Sequence, residues 1–263
     1  MRVLVTGSSG FIGSHLKTKL LELGHEVRDC DEKTGERLET IIITNSGEWK
    51  TDFVVHLAAT ADVRRSFREP ELYWQNNVEN TLRIQQLCTG HNIPLIYASS
   101  SCAKKWWLSP YGTTKRVNEE TSRSNQVGLR FTTVYGDGAR EGMFMSRLKS
   151  GNIEYVTKHT RDFIHVSDVV DVIIRLMSDM TKPNHPMTGA YDVGTGRGNK
   201  VNKLAELAGY DLPVKDGEPC EAPENIANIK PIQTLLSDLK GKSWEPTVKV
   251  REYIKNGYRV KRL

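Results

Sequence analysis

The first sixteen residues, MRVLVTGSSGFIGSHL, limit the possible folds of this chain more than any other stretch. Residues 2–6 are rich in β-branched side chains, and apolar residues recur at helical spacing from Ile12 to Leu23. Gly7, Gly10 and Gly13 stand between the two segments at three-residue intervals. Glycines there allow a tight turn, close approach of the backbone to a pyrophosphate, and close packing of helix on strand. The stretch therefore predicts the start of a dinucleotide-binding domain, although a tight turn without a cofactor would have the same spacing.

A carboxylate after the second predicted strand indicates which dinucleotide would bind. Asp31 ends the segment HEVRDCD (25–31), 24 residues after Gly7. A carboxylate at this place accepts hydrogen bonds from the ribose hydroxyls and repels a 2′-phosphate. The sequence therefore favours NAD over NADP. Lys33 weakens this preference, because a cation two residues away would attract the 2′-phosphate.

Strand and helix patterns alternate along the first half of the chain, which predicts an α/β fold with a doubly wound, Rossmann-type parallel sheet and a small C-terminal substrate lobe. The predicted domains are residues 1–135 with 160–196 for the sheet, and residues 136–159 with 197–263 for the lobe. The predicted strands are 2–6, 25–31, 40–44, 52–59, 94–101, 126–136 and 189–196. The predicted helices are 70–89, 111–124 and 201–209, with a strand edge followed by a helix over 161–177.

The segment SSSCAKKWWLSPYGTTK (99–115) carries the residues that could perform proton transfer. Tyr111 and Lys115 are four residues apart, so on a helix they share one face. A lysine ammonium beside a phenol favours the phenolate, which can take a proton from a sugar hydroxyl as hydride leaves its carbon. Ser101 precedes them at the end of a predicted strand and could hydrogen-bond the same oxygen. The alternative reading is an ordinary polar helix start.

Composition excludes several other classes of protein. The 263 residues include 38% hydrophobic and 26% charged residues, as in a globular protein, and no apolar run is long enough to span a bilayer. The four cysteines, Cys30, Cys88, Cys102 and Cys220, show no metal-binding or disulfide spacing, so we expect reduced thiols and no metal. The N-terminus lacks a signal-peptide pattern, which predicts a cytoplasmic protein. A formal charge of +5 suits anionic ligands, whereas a nucleic-acid partner is not expected.

These segments together resemble the extended short-chain dehydrogenase/reductase family, in its NAD-dependent epimerase/dehydratase group. The resemblance runs through MRVLVTGSSGFIGSHL, DFVVHLAA, NNVENTLR, YASSS, SPYGTTK, LRFTTVYG, RDFIHVSDVVDVI and YDVGTG. It implies catalysis by Ser101, Tyr111 and Lys115, and substrate contacts from Ser101, Thr133 and Arg161. The cofactor contacts that it implies are Gly7, Gly10, Phe11, Ile12, Gly13, Asp31, Lys33, Leu57, Ala58, Ala59, Thr60, Asn77, Ser99, Tyr111, Lys115 and Thr132.

The chain departs from the family pattern in places that concern the substrate. Only nine residues separate Ser101 from Tyr111, so the substrate-covering loop is short, with KKWW in its place. Thr133 replaces an asparagine, and Glu218 stands where an arginine often binds the diphosphate. The stretch Ser101-Cys102-Ala103 lacks the acid pair of sugar 4,6-dehydratases, which disfavours dehydration.

The sequence as a whole predicts an NAD-dependent enzyme that epimerises a nucleotide-diphosphate sugar at C4 through a transient 4-keto sugar. The first alternative is a reductase or dehydratase of the same family. The second is a non-catalytic Rossmann protein that senses NAD or binds RNA through its basic surface. The resemblance also implies a homodimer through the helices near 70–89 and 111–124. No membrane partner is expected, because no apolar run is long enough to span a bilayer.

Overall fold

The computed structural model describes residues 1–44, 46–48, 50–182, 186–237 and 243–260. The chain forms two compact units. The first comprises residues 1–130 and 170–191, and the second comprises residues 131–169 and 192–263. The domain division predicted from the sequence has other boundaries and stays a prediction.

The regular elements have the following bounds. The strands are β1 (Arg2–Thr6), β2 (Glu26–Cys30), β3 (Phe53–His56), β4 (Leu95–Ser100), β5 (Gln126–Phe131), β6 (Thr133–Tyr135), β7 (Val156–Thr157), β8 (Thr160–His165), β9 (Gly189–Val193), β10 (Gly198–Lys200), β11 (Val214–Lys215) and β12 (Glu224–Asn225). The α-helices are α1 (Phe11–Glu22), α2 (Pro70–Trp74), α3 (Asn80–Gly90), α4 (Pro110–Glu120), α5 (Phe144–Ser150), α6 (Val166–Met180), α7 (Val201–Leu207), α8 (Lys230–Leu235) and α9 (Val250–Lys255). The 3₁₀ turns are Glu32–Thr34, Leu38–Thr40, Arg65–Phe67 and Ser101–Leu108, and a π-helical turn covers Gln75–Glu79.

A six-stranded sheet in the order β2-β1-β3-β4-β5-β9 forms the centre of the fold. β1 pairs in parallel with both β2 and β3, and β3 pairs in parallel with β4. The four residues of β3 are all buried, as is typical of parallel strands covered on both faces. The strand order changes direction at β1, which creates the crevice where Rossmann-type sheets bind ligands at the carboxyl ends of their strands. The predicted Rossmann-type fold is confirmed.

The second unit has its own small sheet and core. Its strands follow the order β10-β8-β12, with β6 also paired to β8. Tyr135, Leu148, Phe163 and Tyr253 are buried together in its apolar cluster. Asp162 is fully buried, and its carboxylate accepts hydrogen bonds from backbone N–H groups in the turn after β9 and from Ala227. This carboxylate stabilises the unit, because the buried Asp162 charge gains several hydrogen bonds and the buried Ala227 N–H gains an acceptor.

The predicted strand at 40–44 is wrong. Ile41 and Ile43 are buried while Ile42 is half exposed, which explains the strand-like pattern of TIIIT. The segment nevertheless begins in a 3₁₀ turn, and its only ladder contact is an isolated bridge between Thr44 and Lys50 among the residues described. The Ile42 carbonyl accepts from the Arg28 guanidinium at 2.8 Å rather than from a neighbouring strand. The two isoleucines therefore pack on the sheet without extending it, and the sheet ends at β2.

Two other predicted elements are interrupted. The segment 126–136 forms two strands, β5 in the central sheet and β6 in the second sheet. The Thr132 N–H between them still donates to the Val193 carbonyl of β9, the partner of β5, and the pairing changes to β8 at Thr133. The predicted helix at 70–89 contains the π-helical turn at 75–79. Hydrophobic spacing did not reveal either interruption, because both depend on partners distant in the sequence.

The sequence predicts no membrane span, no metal site and no disulfide, and the described residues bear on each of these points. Among these residues, none of the helices combines the length and apolar character needed to cross a bilayer. No cluster of three or more His, Cys, Asp or Glu side chains within the described ranges could hold a metal ion. None of the four cysteines, all of which lie within the described residues, forms a disulfide.

Candidate active site

The glycine turn packs against the loop that follows β3. Gly7 has a φ of +70°, which glycine adopts readily and other residues do not. A Cβ atom at Gly7 would lie 2.7 Å from the Ala58 nitrogen, and one at Gly13 would lie 2.1 Å from the Gly7 carbonyl oxygen. The Gly10 N–H donates to that same carbonyl at 3.0 Å. The glycines are therefore required by the turn itself, and they leave a cradle of exposed backbone.

The N-terminus of α1 follows directly from this turn. Phe11 and Ile12 form its first turn, and Gly10 is the N-cap residue. Within the described residues, no side chain caps this helix and its first turn contains no acidic residue. The first N–H groups of an α-helix have no intrahelical acceptor, and together with the helix dipole they attract anions. A pyrophosphate would satisfy them.

Asp31 lies at the rim of the glycine turn. Its Oδ2 accepts from the Ser9 N–H at 2.9 Å, and its Oδ1 accepts from the Lys33 N–H at 3.0 Å. The carboxylate thus follows the end of β2, next to the turn that would hold the phosphates. The side chain of Lys33 is exposed.

The loop after β3 consists of Leu57, Ala58, Ala59 and Thr60, all half-buried. The Ala58 N–H donates to Thr6 Oγ1 at 3.3 Å, and this contact holds the loop against the end of β1. The Thr60 N–H donates to Asn77 Oδ1 at 2.8 Å, and Asn77 Nδ2 donates back to the Thr60 carbonyl at 2.9 Å. The loop is therefore held at both ends.

Asn77 lies in the π-helical turn and is fully buried. Its Nδ2 lies 3.2 Å from Thr114 Oγ1 of α4, in addition to its bond to Thr60. π-turns inside helices are frequent at functional sites, because the extra residue re-aims a side chain. Here the turn joins the loop after β3 to the helix that carries the tyrosine and the lysine.

Tyr111 and Lys115 share one buried face of α4. Ser109 caps this helix by accepting from the Gly112 N–H at 3.0 Å. Lys115 Nζ lies 5.9 Å from the centre of the Tyr111 ring and donates to the Ala98 carbonyl at 2.8 Å. The lysine side chain is only 2% exposed, and burial lowers its pKa to about 8. The face-sharing predicted from the four-residue spacing is therefore present.

Three consecutive buried serines, Ser99, Ser100 and Ser101, form a serine row that lies beside α4. The sequence predicted that the strand would run to Ser101, but β4 ends at Ser100, whose Oγ accepts from the Cys102 N–H and starts the 3₁₀ turn at 101–108. A Cβ atom at Gly112 would lie 3.0 Å from the Trp106 carbonyl oxygen, which shows how closely this turn packs on α4.

The second unit holds the remaining predicted site residues. The Thr132 hydroxyl lies 3.3 Å from the Val193 carbonyl, and Thr133 pairs with Phe163 in the second sheet. The Arg161 guanidinium is engaged within its own unit. It donates to the carbonyl of Ala222 at 2.7 Å and lies 2.9 Å from His159 Nδ1 and 3.5 Å from Glu221 Oε2.

The first unit thus brings the glycine turn, Asp31, residues 57–60, Asn77, the serine row and the Tyr111/Lys115 pair together around the strand ends of its sheet. Thr132, Thr133 and Arg161 belong to the second unit. The roles of all these residues stay predictions.

Sequence reasoning missed a buried histidine behind the site. His56 Nδ1 lies 2.6 Å from Thr6 Oγ1, and its Nε2 lies 2.9 Å from Thr81 Oγ1. Burial lowers its pKa to about 3, so the ring is neutral. Because Thr6 Oγ1 also accepts from the Ala58 N–H, the histidine supports the loop after β3. The signal in the sequence was His56 itself, a polar residue inside the apolar part of DFVVHLAA.

Glu119 was the second missed residue. It follows Lys115 by four positions, as Lys115 follows Tyr111, so it continues the same helical face. Its carboxylate accepts from Ser99 Oγ and from the Arg130 guanidinium. The repeated four-residue spacing could have identified it.

Several known proteins resemble this chain in sequence and in fold. The model of the NAD dependent epimerase/dehydratase family matches residues 3–105 and 107–194. The chain is 32% identical to protein CapI of Staphylococcus aureus over 86% of this chain and 83% of that protein. It is 26% identical to UDP-glucose 4-epimerase of Pisum sativum over 77% of this chain and 79% of the relative. The solved structure of MoeE5 in complex with UDP-glucuronic acid and NAD has a TM-score of 0.81 and 29% identity, and the match covers 97% of each chain.

Proposed function

We propose that this chain, which belongs to the NAD dependent epimerase/dehydratase family, inverts a nucleotide-diphosphate sugar at C4. The family resemblance drawn from the sequence is confirmed, and NAD is the cofactor of this family. The family and its relatives support NAD-dependent epimerase/dehydratase chemistry on nucleotide sugars. Inversion at C4 through Tyr111, Lys115 and Ser101 is the specific proposal.

The glycine turn has the shape that NAD requires. Close backbone packing excludes a side chain at Gly7 and Gly13, and the uncapped first turn of α1 is free to bind phosphate oxygens. Asp31 is held beside the turn by the Ser9 and Lys33 N–H groups, where it would accept from ribose hydroxyls. When bound, NAD would supply the hydride acceptor and donor of the reaction.

Tyr111 would be the proton carrier, and one observation supports this most directly. The buried Lys115 ammonium lies 5.9 Å from the Tyr111 ring and is anchored to the Ala98 carbonyl beside the serine row. A cation there stabilises the phenolate, so Tyr111 can take the proton from the C4 hydroxyl and later return it. Ser101 would share a hydrogen bond with the same oxygen. Inversion requires the 4-keto sugar to turn over before its reduction from the opposite face.

Epimerisation is favoured over dehydration by the residues next to Ser101. A 4,6-dehydratase needs an acid to protonate the departing hydroxyl, but the positions after Ser101 are Cys102 and Ala103. Ala103 is buried and apolar. A net reductase with the same residues would consume external NADH, whereas an epimerase recycles its own hydride.

The proposal is tested first by denaturing the purified protein and identifying the released nucleotides by mass spectrometry. NAD at close to one molecule per chain, with conversion of UDP-glucuronic acid or UDP-glucose to its C4 epimer without added NAD, is the expected result. Turnover that depends on added NADH would instead identify a reductase. A chain that binds neither NAD nor a nucleotide sugar, and binds RNA at low salt, would replace the proposal with the non-catalytic alternative.

Glu221 is expected to compete with the substrate for Arg161, which is the residue proposed to grip the diphosphate. Its carboxylate is 3.5 Å from the guanidinium, and both side chains are partly buried. Glu221→Gln should remove a repulsive charge and lower KM for a UDP-sugar about five-fold, corresponding to about 1 kcal/mol. Steady-state kinetics measures this change.

Asp216→Asn is the matched control, because it removes one carboxylate charge from the same segment outside this ion pair; the Asp216 side chain is 91% exposed and pairs with Lys158. Its KM should stay within about twofold of the wild type, since an exposed charge interacts weakly through water. An unchanged or higher KM in Glu221→Gln would contradict substrate binding by Arg161.

A homodimer through α2, α3 and α4 is part of the proposal. Tyr73 is buried in the core and would not contribute, whereas Trp74 is partly exposed on α2. Light scattering after size-exclusion chromatography should give about twice the monomer mass, and Trp74→Glu should reduce it to the monomer mass, because a charge at the centre of an interface is costly. A monomer mass for the wild-type chain would refute this.

A further inference from the structure

Glu119 forms an unusually complete set of contacts for a carboxylate outside the predicted catalytic set. Its side chain is only 5% exposed. Oε1 accepts from Ser99 Oγ at 2.5 Å and from Arg130 Nε at 2.8 Å, while Oε2 accepts from Arg130 Nη2 at 2.7 Å. The two parallel bonds from Arg130 form a bidentate pair, which has a defined geometry.

These contacts join α4 to β4 at two successive residues. Lys115 donates to the Ala98 carbonyl, and Ser99 donates to Glu119 one helical turn further along. Tyr111, Lys115 and Glu119 are spaced by four, so they lie on one face of the helix. The end of β4, which leads into Ser101, is therefore held in register with the tyrosine and the lysine.

The charge of Glu119 also affects the protonation of Lys115. Burial lowers the pKa of Lys115 to about 8, and the negative charge of Glu119 acts in the opposite direction. From β3, His56 faces the lysine as a neutral ring, since burial keeps its own pKa low. Tyr111 faces it from α4. Arg130 and the more distant Arg116 offset part of the charge of Glu119.

We propose that Glu119 is a positioning residue that keeps Lys115 protonated and holds the serine row of β4 against the Tyr111/Lys115 face of α4. The proposal rests on the proposed function, in which a charged Lys115 stabilises the Tyr111 phenolate. A purely structural ion pair between α4 and β5 would have the same geometry, but it would leave the charge state of Lys115 unchanged when Glu119 is neutralised.

The decisive measurement is the titration of Lys115, followed by NMR on protein with ¹³C-labelled lysine, with the resonance assigned by Lys115→Met. In Glu119→Gln the midpoint should move to lower pH by at least about half a unit, because the only anion next to the lysine among the described groups is lost. Glu120→Gln is the matched control. Glu120 is the next residue, its side chain is 61% exposed, and it pairs with Arg116. In this variant the titration midpoint of Lys115 should shift by less than about 0.2 pH units.

A second variant gives the opposite sign and remains informative if Glu119→Gln does not fold. Arg130→Gln removes a cation while Glu119 stays, so the Lys115 midpoint should rise. A structural ion pair predicts no shift in either variant. An unchanged midpoint in Glu119→Gln, or a fall in Arg130→Gln, overturns the proposal.

Kinetics supply the link to catalysis. In Glu119→Gln, kcat at pH 8 should fall at least about twofold with KM within about twofold, and the alkaline loss of activity should begin at lower pH, because a smaller fraction of Lys115 is protonated. Equal loss at every pH would overturn the charge role. The NMR titration does not require turnover, so a wild-type chain without epimerase activity would refute the proposed function while the Lys115 midpoints still decide the role of Glu119.

Discussion

Tyr111→Phe is expected to lower kcat by about 10²–10⁴-fold while the chain keeps its bound NAD, because proton transfer by a positioned side chain contributes that factor. The phenyl ring can retain the edge contact with Tyr73, whose ring centre is 6.3 Å away, so packing should be nearly unchanged. Only the hydroxyl that would take the C4 proton is lost. Steady-state turnover of a UDP-sugar, together with the NAD content of the denatured protein, measures both parts.

Tyr191→Phe is the matched control for this change. Its hydroxyl donates to the Thr188 carbonyl at 3.0 Å, an exposed contact between β9 and the residue before it, so its loss should leave kcat within about twofold. Activity above about one tenth of the wild-type value in Tyr111→Phe would exclude this tyrosine as the proton carrier, since the factor expected of a general base is larger.

Gly13→Ala should impair both folding stability and NAD binding. The added Cβ would lie 2.1 Å from the Gly7 carbonyl oxygen, and backbone there cannot rotate away as a side chain could. Overpacking of this kind costs about 1–3 kcal/mol. For a chain of this size we expect Tm to fall by about 4–10 °C, as measured by thermal denaturation. Because the turn must shift, NAD affinity should fall about tenfold or more, equivalent to at least about 1.4 kcal/mol.

Gly90→Ala separates this steric effect from a general cost of replacing glycine. Gly90 lies at the end of α3, and no atom of the described residues outside its own stretch of helix backbone is within 4 Å of the position of an added Cβ. Alanine is the better helix former, so Tm should stay the same or rise by a few degrees. If Gly13→Ala behaves like Gly90→Ala and binds NAD normally, the close approach at the turn is not required for the cofactor.

The π-helical turn at Asn77 connects two parts of the candidate site. Asn77 is bonded to Thr60 on one side and Thr114 on the other. It therefore connects the loop that packs on the glycine turn to the helix carrying Tyr111. A shift in any of these elements would be transmitted to the others, because buried amide groups must keep their partners.

The sequence by itself determined the local geometry of the site. The glycine spacing between Gly7 and Gly13 defines a turn that only glycine can form, and the apolar run at 52–59 contains β3, a strand buried on both faces, followed by a loop. The four-residue spacing of Tyr111 and Lys115 places them on one face of any helix. These features depend on neighbouring residues and on backbone sterics, so a short window of sequence contains them.

Only the tertiary structure decided which distant groups meet. TIIIT has the alternation of a strand, yet its Ile42 carbonyl accepts from Arg28, and its only ladder contact within the described residues is the bridge between Thr44 and Lys50. Residues 126–136 change sheets after Thr132, which still bonds to Val193 of β9, whereas Thr133 pairs with Phe163 of β8. Glu119 finds Ser99 and Arg130 only when α4 packs on β4 and β5. Such pairings minimise the unpaired polar groups and exposed apolar area of the whole chain, and no local pattern records that balance.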